Sequence, residues 1–333
     1  MENKYKAHYH MNEDGSAEVL CELLDCFEQP CYFQYKKVSD RNPWIFFCGN
    51  INLTFCVRDK ITLGTVICKT RGQYGNIHTI SFTNEYYKNI SNLLNVYGEV
   101  ILTTAFNYVN DYVWFKDEGK NGIHTQHCTY LLGENDKDYY IADNPYVLLE
   151  PAKIELESNN SVFVIPKSHF QEAFEKCCIV TTLKYQNLPK TKESELAYFM
   201  AICKEIGTDY IEKDSVKGVF LGRQALLLLK SELENGNEHM MDDFFVYHIV
   251  IARRIVFKRC INLFKEYIFE SSHVSSLLKQ SIEQWKIIKE LAFEYHYHNK
   301  KVCLSAAKKM KEIIEIEDAL INEIINIPWK TII

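Results

Sequence analysis

Two polar residues stand at opposite ends of a pair of apolar runs. His127 heads "HCTYLLGE" and Asp143 closes "DYYIADN", with "NDK" between them as a turn signal. Read as an antiparallel hairpin, the two runs bring those ends side by side. A carboxylate there accepts an imidazole N–H, fixes the ring's tautomer and supports its cationic form, which is what a general base needs. The plainer reading is an edge histidine and a turn aspartate, each serving only its own backbone. A base of this kind also needs a nucleophile from elsewhere in the chain.

The elements that must position the pair can be read from the pattern of apolar residues. Up to about residue 185, short β-rich runs recur: "WIFFCG", "INLTFCV", "GTVICKT", "EVILTTAF", "CTYLLGE", "DYYIADN" and "SVFVIP", separated by turn-forming stretches such as "DRNP" and "GENDKD". Two segments of this half read as helices. Residues 16–27 follow the capping stretch "NEDGS" and end before Pro30, and residues 83–98 finish on Gly98 in the position after a helix end. Beyond "NLPKTKES" the period changes to i, i+3, i+4, i+7 and the chain reads as a helical bundle. We therefore expect two domains, 1–186 and 187–333, in a chain whose 333 residues exceed the usual single core. Within the second, Gly218 and Gly222 precede an almost wholly apolar helix, so a buried helix with close backbone approach is expected.

Composition excludes several functions. A formal net charge of −6 argues against a protein that neutralises nucleic-acid phosphates. The basic cluster "ARRIVFKR" at 252–259 reads as the wet side of an amphipathic helix. Twelve cysteines spread over this length, many inside apolar runs and with no CxxC pair, fit reduced thiols rather than a disulfide scaffold or zinc ribbon. No signal core and no membrane-length apolar stretch occurs, which leads to a cytoplasmic expectation with no membrane partner. "KTRGQYGN" lacks the spacing of a nucleotide loop. "NGNEHMMDD" at 235–243 reads as a helix connection, and "EYHYHNKK" as a helix end carrying cationic side chains.

The sequence from His127 through "CTYLLG", a polar turn, then "YYIADNP" resembles the histidine and aspartate strands of papain-like cysteine peptidases of the bacteriocin-processing type. Here Asn144 intervenes between Asp143 and Pro145. In layout the chain is closer to the butirosin biosynthesis acyltransferase family. It shares with that family its length, the element "ISNLLNVYGEVILTTAFNYV" and a helical second half with a "GRQALLLLKSEL"-like helix. The resemblance implies an α+β fold: a papain-like antiparallel sheet domain with a central N-terminal helix, followed by an all-α helical domain. It also implies a Cys/Ser-His-Asp site that takes an acyl group from a carrier-protein thioester and forms an amide, in natural-product biosynthesis such as that of antibiotics. The partners would be an acyl or peptidyl carrier protein, with a phosphopantetheine-tethered substrate and no other cofactor, and a small-molecule amine acceptor. A catalytically inactive relative that binds a carrier protein or pathway product is the alternative, and a cysteine peptidase a further one.

By that resemblance His127 is the base, Asp143 its orienter, and the nucleophile a cysteine opening the first helix, where the helix dipole favours a thiolate. This chain departs from the pattern there, because the matching position falls within Asp14–Ala17 and aligns best with Ser16. Cys21 is the nearest thiol but lies in the second turn, on or beside the apolar face. Four alternatives stand: a serine nucleophile, an engineered Cys-to-Ser or Cys-to-Ala exchange, a nucleophile lost in nature, or a shifted helix that exposes Cys21. His10 and Asn12 are candidate oxyanion donors, joined by Asn144 as a binding residue. His124 lacks a cysteine or acidic partner for a metal, so none is expected. The oligomeric state is not readable from the sequence.

Overall fold

The computed structural model describes residues 41–57, 61–65, 75–81, 86–109, 126–143, 162–185, 188–211, 218–242, 245–270, 272–298 and 300–330, with Cys31, Tyr35, Ser39 and Asp111. Its strands, in chain order, are β1 (Leu53–Val57), β2 (Ile61–Thr65), β3 (Gly75–Ser81), β4 (Val100–Ala105), β5 (Gln126–Glu134), β6 (Asp138–Ala142), β7 (Val162–Pro166), β8 (Cys178–Tyr185) and β9 (Val219–Leu221). Its α-helices are α1 (Tyr86–Tyr97), α2 (Gln171–Lys176), α3 (Lys192–Ile211), α4 (Gly222–Glu234), α5 (Ala252–Leu263), α6 (Val274–His298) and α7 (Cys303–Ile325). The protein is a mixed α/β molecule with antiparallel sheets. By contact it divides into two units, one holding Met1–Ser39 and Gly75–Gln186, the other Asp40–Tyr74 and Asn187–Ile333. The sequence reading has a single division, after residue 186, and assigns 40–74 to the first domain.

The first unit is built on a six-stranded antiparallel sheet in the order β3-β8-β4-β5-β6-β7. Helix α1 stops where the sequence reading expects: Gly98 follows it at φ +76°, with its N–H bonded to the Leu94 carbonyl at 2.7 Å. Ile90 and Leu94 of α1 and Phe174 of α2 pack on Val100, Leu102, Leu131, Ile141 and Val180 of the sheet, forming one core. Each such side chain contributes on the order of 1.5–3 kcal/mol when fully buried. β4 is buried at all six positions, including Thr103 and Thr104. The Thr104 hydroxyl lies within bonding reach of the carbonyls of Ala173, at 3.0 Å, and Cys177, which ties α2 and the strand after it to the sheet. Strands β3 and β8 are not among the runs picked out from the sequence.

The second unit combines helices α3 to α7 with a small antiparallel sheet, β2-β1-β9. The expectation of an all-α second domain is thus corrected by β9, a three-residue strand that pairs with β1 from far earlier in the chain. Glycines at φ +77° and +51°, Gly218 and Gly222, bracket β9. A Cβ on Gly218 would meet the Val57 carbonyl oxygen at 2.4 Å, and one on Gly222 the Tyr210 Cα at 2.6 Å, so the expected close backbone approach is present. Helix α4 buries Ala225, Leu226, Leu229 and Leu233 but leaves Leu227 exposed, so it is one-sided rather than buried all round.

Two further expectations change. "WIFFCG" is not a strand: Pro43–Phe46 forms a turn of 3-10 helix because Pro43 opens it and the Asn42 side chain accepts from the Trp44 N–H at 3.0 Å. "ARRIVFKR" is not simply a wet face either. Arg253 and Arg254 are each only 1% exposed. Glu317 on α7 compensates Arg254: its Oε1 accepts from Arg254 Nε and Nη2 at 2.8 Å, Ser281 Oγ at 2.6 Å and Trp285 Nε1 at 3.0 Å. Removing one partner of such a buried pair costs about 3–5 kcal/mol, which explains why a charge can be retained there. No described helix is long and apolar enough to cross a membrane.

Candidate functional site

The β5–β6 hairpin places the two residues with which the sequence reading begins. Its turn is organised by Asn135, whose Oδ1 accepts from the backbone N–H groups of Lys137 and Asp138, both at 2.7 Å. In the ladder Leu131 pairs with Ile141 and Tyr130 with Ala142. Continuing that register, Asp143 falls opposite Thr129, and His127 is its diagonal neighbour on the same face of the sheet. Thr129 secures this end of the hairpin by donating to the Ala142 carbonyl at 3.0 Å.

His127 Nε2 and Asp143 Oδ2 lie 2.8 Å apart, and each residue is 8% exposed. A carboxylate in its charged form only accepts, so a bond to it is donated by the ring's Nε2–H. Phe106, just after β4, meets the imidazole edge-on, with centroids 5.2 Å apart and planes at 83°. Thr104 stands beside His127 in the β4–β5 ladder and is fully buried. The arrangement can hold an imidazole in one tautomer and stabilise its cation in a site largely withdrawn from water.

Among the described residues, the thiols near the pair do not supply an obvious nucleophile. Cys128 follows His127 and so points to the opposite sheet face, where its Sγ is 3.0 Å from Thr103 Oγ1. Cys178 shares the face of His127 but is separated from it by β4. Burial, reinforced by the neighbouring Cys177, pushes the Cys178 thiol up to about 12. Burial raises Cys177 as well. A thiol held protonated is a poor nucleophile.

Ser16, Cys21, His10, Asn12, Asn144 and His124 lie outside the described residues, as does the expected first helix at 16–27. Phe106, Thr104 and Thr129 surround the pair without having been expected, because their roles arise from strand register and not from any local motif. In the other unit, "NGNEHMMDD" and "EYHYHNKK", read separately in the sequence, contribute Glu238, His239, Met241, Asp242, Tyr295 and His296 to one cleft of about 230 Å³. Among the described residues, no three His, Cys, Asp or Glu side chains are grouped as a metal ion would require. The sequence matches no protein-family model, and comparison with curated proteins gives no significant match.

Proposed function

We propose that the chain carries a papain-like acyl-transfer site in which His127 is the general base and Asp143 orients it. In this reading the protein moves an acyl group from a carrier-protein thioester to a small-molecule amine, forming an amide in natural-product biosynthesis. The observation that carries it is the 2.8 Å bond between the buried His127 and Asp143 side chains. Strand pairing does not require a buried imidazole and carboxylate, whereas a general base with its orienting carboxylate makes use of such a pair.

The chemistry balances without a resident cofactor, because the carrier's phosphopantetheine arm brings the thioester. His127 Nδ1 takes the proton of a serine or cysteine nucleophile as that atom attacks the thioester carbonyl. The carrier thiol leaves with the proton from the imidazolium. The amine then attacks the acyl-enzyme and gives its proton to Nδ1, which returns it to the departing nucleophile. One thioester and one amine become one amide and one thiol. Ser16 is the candidate nucleophile and Cys21 the alternative, with His10, Asn12 and Asn144 as candidate partners of the oxyanion or substrate. A reducing cytoplasm suits the chain, since none of the described cysteines forms a disulfide.

A second reading, a catalytically silent relative that binds a carrier protein or product, is favoured by one observation: no cysteine falls within residues 14–17. Turnover of an acyl-carrier thioester in the presence of amines separates the two. His127→Ala is expected to reduce turnover by about 10²- to 10⁴-fold with an unchanged circular dichroism spectrum. Undiminished turnover in that variant contradicts the acyl-transfer reading, and no turnover in the native chain favours the silent one.

A further inference from the structure

The cleft of about 230 Å³ in the second unit takes no part in the chemistry proposed for His127. One wall is the connection after α4, where Glu238 and His239 lie in a single 3-10 turn, Glu238–Met240, followed by Met241 and Asp242. That turn is held at both ends. Before it, the Asn237 N–H and Nδ2 donate to the Glu232 carbonyl and Oε2, at 2.9 and 2.8 Å. After it, the Met241 N–H bonds the Glu238 carbonyl at 3.0 Å, and the Met241 side chain is buried. The other wall is Tyr295 and His296, in the last turn of α6.

Glu238 and Asp242 make this lining acidic, and the last carbonyls of α6 add the negative end of a helix dipole. Asp242 and His296 are engaged within the fold, which leaves Glu238 and Tyr295 as the groups an occupant would meet. Glu238 is half-buried and makes no ion pair among the described residues, while Lys300, just beyond α6, is taken up by Glu294. A carboxylate partly withdrawn from water without a counter-charge carries a cost that a bound cation relieves. Its influence reaches α7 as well: burial first, and then the Glu238 charge, push up the Cys303 thiol.

The side chains are not gathered as a bare metal ion requires, since no three described His, Cys, Asp or Glu groups meet that condition. A cation with an organic body fits instead. Its charge faces Glu238 while the Tyr295 ring and the Met241 thioether take its apolar part. A cavity of about 150 Å³ accepts benzene, so the cleft has room for roughly ten non-hydrogen atoms. We propose that this cleft binds a small organic ammonium ion, with Glu238 as its counter-charge and Tyr295 as the ring against which it rests. The site is independent of the acyl-transfer reading, because it concerns binding and holds whether or not the chain turns over a thioester.

Titration calorimetry on the full chain at pH 8 and low ionic strength tests it, with 2-phenylethylamine as the probe and 2-phenylethanol as its neutral counterpart. The native chain should bind the amine with a Kd of about 1 mM or tighter, and the alcohol about tenfold more weakly or worse. Glu238→Gln should weaken the amine by about 10- to 100-fold and leave the alcohol unchanged. Tyr295→Leu should weaken the amine by about threefold or more. Glu283→Gln removes an exposed carboxylate elsewhere on α6, one that faces Lys279, and should change nothing. Equal affinity for amine and alcohol, or no amine binding up to about 10 mM, overturns the proposal. So does a loss that Glu238→Gln and Glu283→Gln share equally, which would mark attraction to surface charge in general. Unchanged binding in Tyr295→Leu overturns the part given to the ring. Circular dichroism checks each variant's fold, and if one cleft variant fails to fold the other decides.

Discussion

His127 and Asp143 are legible in the sequence because hairpin geometry links their positions through the period of two and the turn between them. Phe106 is not, since its contact with His127 depends on where β4 ends relative to β5. The orientation of Cys128 follows from strand alternation alone, but the burial of Cys178 follows only from the packing of α2. That burial has a measurable consequence. The folded chain keeps the Cys178 proton up to about 12, whereas an unfolded thiol releases it near about 8.5. Between those values the unfolded state binds fewer protons, so stability falls as pH rises. Urea midpoints at pH 8 and pH 10 should therefore decline in the native chain, and decline less in Cys178→Ala. An equal decline in both would show that Cys178 does not carry the effect.

At the scale of elements, amphipathic periodicity identifies the long helices, and Gly98 marks the end of α1 through the backbone conformation it adopts. The failures have physical causes. "WIFFCG" is as apolar as a strand, yet the preceding Asn-Pro sets a turn. β8, "CIVTTLKY", carries the β-branched residues of a strand, and the buried Thr181 obscures its apolar character. The length of "VFL" is too short to read as a strand without the pairing that β1 provides. The glycines around it are legible as backbone requirements and lead to a prediction. Gly222→Ala should destabilise the second unit by at least about 1–2 kcal/mol, because alanine must adopt a positive φ and also displace the backbone at Tyr210. Denaturant unfolding that leaves the midpoint unchanged would refute the close approach.

For the whole molecule, the least legible property is its division. Residues 40–74 group with the C-terminal half because β1 pairs with β9 across about half of the chain, and no local pattern announces a pairing of that span. Buried Arg254 is illegible for a similar reason, as its compensating carboxylate lies on α7. What local pattern does convey is the hairpin and the chemistry its ends can support. The central claim is that this chemistry forms an acyl-enzyme through His127. Intact-mass measurement of the whole chain after incubation with an acyl-pantetheine thioester, without amine, tests it most directly. The native chain should gain the mass of one acyl group, mapped by peptide fragmentation to Ser16 or Cys21, and His127→Ala should gain none. Equal labelling of both chains, or a native chain that stays unmodified, would contradict it.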